Sequence, residues 1–327
     1  MTLSQVISAI KKYDSFLISS HVNPDGDAVG SQFAMRSLLK QMKKKAVIIN
    51  DKPLPAMYDF LGKWTCIDEL VRKPNFEVAI IMDSSNLNRL GRVPSLLSPA
   101  KKIINIDHHV SNENFGDINW VDTRAGAAGE MVYYLYKKLN CPIKNESALA
   151  MYVAILTDTG SFRYANTTSS TYRVASHLLE CGVKPEIVAE KMYEVNSLAG
   201  MRLLGMALST IKVINHDGSI AWLYVTNDML RKAGADWQDT EYFVNYARSL
   251  YGVEIAIFFS ETEVKGRIRV CLRSKSVVDV TLIAGKFGGG GHCRASGCRI
   301  KGTLDEVIKK VVAESQGALK HGRDISR

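Results

Sequence analysis

The first 107 residues carry four short apolar runs, SFLISS (15–20), AVIIN (46–50), VAIIMD (78–83) and KIINID (102–107), and their spacing constrains the fold more than any other feature. Each run is rich in β-branched residues and too short for a helix, the pattern of a strand buried on both faces. Between the first two lies AVGSQFAMRSLLKQMKKK, with helical spacing and a basic last turn. Strands alternating with helices predict an α/β fold: a parallel sheet with helices on both faces.

In an open parallel sheet, ligands bind beyond the carboxyl ends of the strands. The first run leads into HVNPDGD, with His21, Asp25 and Asp27; the third ends in Asp83 and the fourth in Asp107, His108 and His109. A later helical run, ESALAMYVAILTD, ends in Asp158. Each piece alone has a plainer reading. NPDGD suits a turn, Asp83 could cap a helix before SSNLNRL, and a His-His pair is often structural. A calcium loop starting at Asp25 fails, because its twelfth position is Arg36 where a Glu is needed.

Taken jointly, the strand and helix ends all terminate in metal-ligand types. Asp25, Asp27, Asp83 and Asp158 could not stay ionised side by side without cations, because each would raise the pKa of the others. Two divalent ions would offset them. Oxygen-rich ligation with one or two imidazoles suits Mn²⁺ better than Mg²⁺, with Co²⁺ a further alternative, whereas zinc more usually recruits thiolates or a majority of histidines. Two such ions, about 3.5–4 Å apart, activate water for attack on phosphate esters. Phosphoester hydrolysis is the expected reaction class.

After His109 the pattern turns mostly helical: GEMVYYLYKKLN, ESALAMYVAILTD, TSSTYRVASHLLECG and KPEIVAEKMYE. From about residue 211 strands return, with IKVINHDGSIAWLYVT reading as a hairpin turned at His216-Asp217-Gly218 and YGVEIAIFFSET and GRIRVCLRS as a second pair. VDVTLIAGK and DEVIKKVVAES are expected helices. The chain therefore divides into a first domain over 1–195, a helical linker over 196–210 and a smaller α/β domain over 211–327.

The formal net charge of +9 is concentrated in that last part. Residues 265–301 hold nine Lys and Arg against one acid, Asp279, which favours an anionic partner. Arg267, Arg269 and Arg273 fall at alternate positions of one strand and so share a face. FGGGGH (287–292) could be a flexible linker. Its glycines, Gly288, Gly289, Gly290 and Gly291, would also let backbone amides approach an anion, with His292 beside them. A zinc site from His292, Cys293 and Cys298 lacks a fourth ligand and the usual spacing. The six cysteines form no CxxC pair, no apolar run approaches the roughly 20 residues of a membrane span, and MTLSQVISAIKKYD reads as an amphipathic helix and not a signal peptide. A cytoplasmic protein with reduced thiols is expected.

HVNPDGDAVGS, IIMDSS, NIDHH and ILTDTGSFRY, in this order, resemble the motifs of the DHH phosphoesterase superfamily. VVDVTLIAGKFGGGGHCRASG resembles its DHH-associated C-terminal domain, whose glycine-rich motif holds substrate. The compact two-domain form is similar to bacterial nanoRNases that also act as phosphatases of 3′-phosphoadenosine 5′-phosphate (pAp). The resemblance implies one metal on His21, Asp25 and Asp83, and a second on Asp27, Asp83, His108 and Asp158. It leaves His109 beside the substrate phosphate, with Asp107 orienting an imidazole. Arg163, Arg267, Arg269, Arg273 and the FGGGGH run would contact substrate. Short single-stranded RNA or nucleotides are the implied substrates, with cleavage of cyclic di-AMP or pApA as the alternative. A manganese pyrophosphatase, which lacks the glycine-rich cap, or a non-catalytic nucleotide sensor fit less well, and a homodimer stays open. RAGAAGE (124–130) departs from relatives that place hydroxyls before this helix, so a phosphate there would depend on backbone amides.

Overall fold

The structure is a computed structural model that describes residues 2–71, 74–98, 100–214, 219–276 and 278–325. Contacts divide the chain into two units, Met1–Val195 and Asn196–Arg327. The first contains α1 (Thr2–Lys12), β1 (Ser15–Ser19), α2 (Gly26–Gln41), β2 (Lys45–Asn50), β3 (Thr65–Cys66), β4 (Val78–Met82), β5 (Lys102–Asp107), β6 (Ile118–Val121), α3 (Ala128–Lys138), α4 (Asn145–Asp158), α5 (Ser169–Glu180) and α6 (Pro185–Tyr193). Its six strands are all parallel, in the order β3-β2-β1-β4-β5-β6. The expected strands lie at its centre. The edge strands β3 and β6 are two and four residues long, and neither carries a readable apolar run.

Alternate strand residues feed two cores. Phe16, Ile18, Ile80, Met82, Ile104 and Ile106 pack with Val29, Phe33, Met131, Met151 and Ile155 from the helices. On the opposite face Leu17, Ala79 and Ile81 pack with Leu90, Val93 and Leu96 from short 3₁₀ helices. Helix α2 begins where Asp25 accepts the backbone N–H groups of Asp27 and Ala28, an N-cap that satisfies donors the helix cannot. Gly30 lets α2 lie against α4, since a Cβ there would stand 2.3 Å from the Ala150 carbonyl oxygen.

The second unit contains α7 (Leu198–Leu208), β7 (Lys212–Ile214), β8 (Ile220–Val225), α8 (Asn227–Ala233), α9 (Phe243–Ser249), β9 (Ile255–Glu261), β10 (Arg267–Ser274), α10 (Val280–Gly285), β11 (Gly290–His292), β12 (Ala295–Lys301) and α11 (Leu304–Ile325). The strand order is β11-β12-β10-β9-β8-β7, antiparallel except for the parallel β8–β9 pair. The expected turn at His216-Asp217-Gly218 lies outside the described residues, although β7 and β8 pair antiparallel on either side of it. The stretch read as a linker carries α7, whose Leu203, Leu204 and Ala207 enter a core with Leu223, Val225 and Phe258. On the other sheet face Ile268, Val270 and Leu272 pack with α10 and α11.

Candidate metal centre

Strands β1, β4 and β5 are neighbours, and the strand order reverses beside β1, so their carboxyl ends form the crevice where such sheets bind ligands. His21 follows β1 by two residues. Asp83 follows β4 directly, with its amide donating to the Ile106 carbonyl at 2.9 Å. The strand expected to include Asp83 stops at Met82, because Asp83 adopts φ +50°, a left-handed conformation that short polar residues tolerate at some cost. Asp107 ends β5, with His108 and His109 beyond it.

These side chains converge on Asp83. His21 Nε2 lies 3.6 Å from Asp83 Oδ2, and His108 Nε2 and His109 Nδ1 each lie 3.5 Å from Oδ1. His108 Nε2 is also 3.5 Å from Asp27 Oδ2 and 3.6 Å from Asp158 Oδ2. Three groups therefore have ligand atoms close enough to hold one ion each: His21 with Asp25 and Asp83, Asp27 with His108 and Asp158, and Asp83 with both histidines of the pair.

The surroundings fix which atoms face inward. His21 Nδ1 donates to the Val22 carbonyl at 2.9 Å and His108 Nδ1 to the Ala125 carbonyl at 3.1 Å, which leaves each Nε2 as the electron-pair donor. Asp27 is fully buried and accepts the Ala128 and Gly129 amides at 2.6 and 2.9 Å. These amides at the start of α3, which could have served a phosphate in place of the missing hydroxyls, are taken by Asp27. Asp158 is the last residue of α4, at the negative end of the helix dipole, where a carboxylate is unfavourable unless a cation is near.

Protonation reports the same crowding. Burial pushes Asp27 well above the usual carboxylate range, with Asp83 adding to it, and burial pushes Asp158 up to about 7. Burial opposes the charge of Asp83, yet the facing His108 and His21 hold it well below its usual value. Burial likewise opposes charge on His108 and His21, and the neighbouring carboxylates outweigh it and raise both. Among the described residues, His21 Nε2, His108 Nε2 and Asp83 Oδ1 are buried without a hydrogen-bond partner. Buried polar atoms left unpaired in this way are costly and rare in a folded protein. A cation among them fits the donor set.

His109 is held differently. Its Nδ1 donates to Asp107 Oδ1 at 2.6 Å, and Asp107 is fully buried. Asn166, which the sequence reading passed over, donates to Asp158 Oδ2 at 3.0 Å and to the Gly126 carbonyl at 2.9 Å. Arg89 was passed over too; its carbonyl accepts the Val22 amide at 2.7 Å and its charge works against that of His21. The signals were the Asn of SFRYAN, in a loop, and the Arg of SNLNRL, in a short 3₁₀ helix, neither of which stands out among its polar neighbours. Arg163 follows the left-handed turn Gly160-Ser161-Phe162 and gives its Nε to the Gly160 carbonyl at 2.7 Å.

In the second unit Arg267, Arg269 and Arg273 share the β10 face opposite Ile268, Val270 and Leu272. Arg269 stands across from Arg299 and Arg267 from Lys301, like charges paired at a cost to the sheet. The glycine run is built into the unit. Gly288 and Gly289 donate their amides to the Gly285 and Ala284 carbonyls, capping α10, and Gly290–His292 pairs with β12. The His292 side chain lies outside the described residues.

Over residues 15–155 the chain matches the DHH family, N-terminal domain, and over residues 217–320 the DHHA1 domain. It is 35% identical over 312 residues to the bifunctional oligoribonuclease and PAP phosphatase NrnA of Thermus thermophilus, covering 95% of this chain and 91% of that one. With the Bacillus subtilis protein of the same name the identity is 30% over 305 residues, covering 91% and 93%. An exopolyphosphatase-related protein from Bacteroides fragilis has a similar solved structure, with a TM-score of 0.91 at 26% identity over 100% of this chain and 98% of that one.

Proposed function

Since the chain belongs to the DHH family, we propose that it is a metal-dependent hydrolase of very short oligoribonucleotides and of pAp. The observation that carries this reading is the set of orphaned, buried atoms on His21, His108 and Asp83. His21, Asp25 and Asp83 would hold one divalent ion, and Asp27, Asp83, His108 and Asp158 the other, with Asp83 shared. Mn²⁺ is the first choice for this mixed donor set and Mg²⁺ or Co²⁺ the alternatives. Bound ions would supply Lewis acidity toward the phosphate and an activated water.

The chain's own residues divide the remaining work. His109 keeps its Nδ1 on Asp107, so Nε2 is the atom that would donate a proton to the leaving oxygen. Asp107 fixes that tautomer. Residues 1–195 would form the catalytic part and 211–327 the substrate-binding part. Arg267, Arg269 and Arg273 would meet substrate phosphate, which would also relieve the like-charge pairs with Arg299 and Lys301. Arg163 and the glycine run with His292 are further candidate contacts. All six cysteines are free, and among the described residues no helix is long and apolar enough to cross a membrane; a cytoplasmic place fits both.

The test is a substrate panel with Mn²⁺, Mg²⁺ and Co²⁺: pAp, dinucleotides to pentanucleotides, pApA, cyclic di-AMP and pyrophosphate. Turnover of pAp and of the short RNAs is expected to lead. Exclusive turnover of cyclic di-AMP or pApA would replace this reading with the alternative, and turnover of pyrophosphate alone would overturn it.

A further inference from the structure

The turn after the two histidines brings back a residue that no role above uses. Asn112 N–H donates to the His109 carbonyl at 3.2 Å, closing a reverse turn whose tip, Val110 and Ser111, is exposed. The turn places the Asn112 amide under Asp107. Its Nδ2 donates to Asp107 Oδ2 and, at 2.7 Å, to Asn105 Oδ1, while its Oδ1 accepts the Asn114 amide at 2.7 Å. Asn105 is fully buried and donates to the Ser84 carbonyl at 3.1 Å, next to Asp83. The side chain of Asp107 thus has one donor on each oxygen: His109 on Oδ1 and Asn112 on Oδ2.

A buried carboxylate with two donors on opposite oxygens has one rotamer that satisfies both. With Asn112 removed, Asp107 keeps a single partner, and rotation about its χ2 no longer costs the second bond. The imidazole of His109, whose Nδ1–H is on the other oxygen, would then be held less firmly in its plane and in the Nδ1–H tautomer. We propose that Asn112 is a positioning residue, which sets the orientation and tautomer of His109 through Asp107. This inference rests on the phosphoesterase reading for its effect on rate, and on the hydrogen-bond geometry alone for its effect on His109.

The experiment therefore has two arms. In the first, kcat and KM for pAp are compared in wild type, Asn112→Ala, His109→Ala and the double variant, with bound metal measured in each. Asn112→Ala should lower kcat by roughly 10–100-fold, leave KM within about threefold and leave the metal content unchanged. On the His109→Ala background it should have no further effect, since a residue acting through His109 has nothing left to position. Additive losses, a change confined to KM, or lost metal would overturn the proposal. Ser111→Ala, at the exposed tip, controls for disturbance of the turn.

The second arm does not need turnover. The Nδ1 proton of His109, hydrogen-bonded to Asp107, should give a downfield NMR resonance in the wild type with and without Mg²⁺. It should move upfield or vanish in Asn112→Ala and be partly restored in Asn112→Ser. An unchanged resonance would overturn the proposal, as would failure of both variants to fold, which would make Asn112 a structural residue. A wild type inert toward every nucleotide would sink the phosphoesterase reading while leaving this arm intact.

Discussion

The two units assemble charge in opposite ways. In the first, His21, Asp27, Asp83, Asp107 and His109 are buried; backbone groups fix His21 and Asp27, side chains fix Asp107 and His109, and in three groups candidate ligand atoms end within 4.8 Å of one another. In the second, Arg267, Arg269, Arg299 and Lys301 are exposed or half-buried, and each has a like charge across the strand pair. A buried acid cluster without a cation is expensive, and a bound cation would relieve it. A solvated row of arginines costs little and can stand idle. Removing a group from the first unit should therefore abolish chemistry, while removing one from the second should weaken binding.

The largest effect is expected at the shared carboxylate. Asp83→Asn keeps the shape but removes the charge that faces His21, His108 and His109. Turnover should fall by more than about 10³-fold, and titration calorimetry should register loss of at least one ion. Full activity with two ions bound would end the reading of Asp83 as the bridge.

The next break lies inside the same unit. His109→Ala should leave metal content intact and lower kcat by about 10²–10⁴-fold, the usual worth of a placed proton donor. Loss of metal in this variant would assign His109 to the third ligand group, with Asp83 and His108, and merge the two roles that Nδ1 bonding to Asp107 keeps apart. Across the comparison, Arg273→Ala should raise KM for pAp by about tenfold, the scale of one charge-assisted hydrogen bond, with kcat nearly unchanged. A fall in kcat with KM unchanged would place this arginine in the chemistry and blur the contrast between the units.

The same contrast explains what could be read before the fold was known. Strands β1, β4 and β5 announce themselves because burial on both faces demands unbroken apolar runs, and β2 does so by its buried second half, Ile48–Asn50. The candidate ligands were legible because His21, Asp83 and His108 follow such runs closely, Asp25 and Asp27 open the next helix, and Asp158 ends a helical run. Residues that act on the ligands were not. The Ala125 carbonyl and the Ala128 and Gly129 amides are backbone, so no side chain signals them. The α3 amides reach Asp27 from about 100 positions away in sequence, and only folding reveals that they are already used. Asn112 and Asn166 are single polar residues in loops, where Asn is common for turn chemistry alone. In the second unit β12 was missed because ASGCRIK carries little apolar patterning, and the glycine run looked open while its amides cap α10.

The smallest expected effect separates a site built around cations from an acid cluster that merely tolerates burial. In metal-free protein, burial raises Asp158 to about 7, and the facing carboxylates raise His21 and His108 above their ordinary value. Each of these groups holds a proton in the folded protein that the unfolded chain has already released. Stability from them is therefore complete below the unfolded pKa and is lost as pH rises through the folded one. Between pH 6 and pH 8 Asp158 alone removes about 1 kcal/mol, and His21 and His108 act in the same direction. Asp83, held below the usual range, changes protonation well under this window and contributes no slope within it. Thermal melts in a chelator should thus show a Tm lower at pH 8 than at pH 6 by about 2–4 °C. With saturating Mn²⁺ the order should reverse, because ions compete with those same protons and bind more tightly as they leave. A metal-free Tm that rises with pH, or a metal effect equal at both values, would mean that the buried carboxylates and imidazoles are balanced by one another and need no ion.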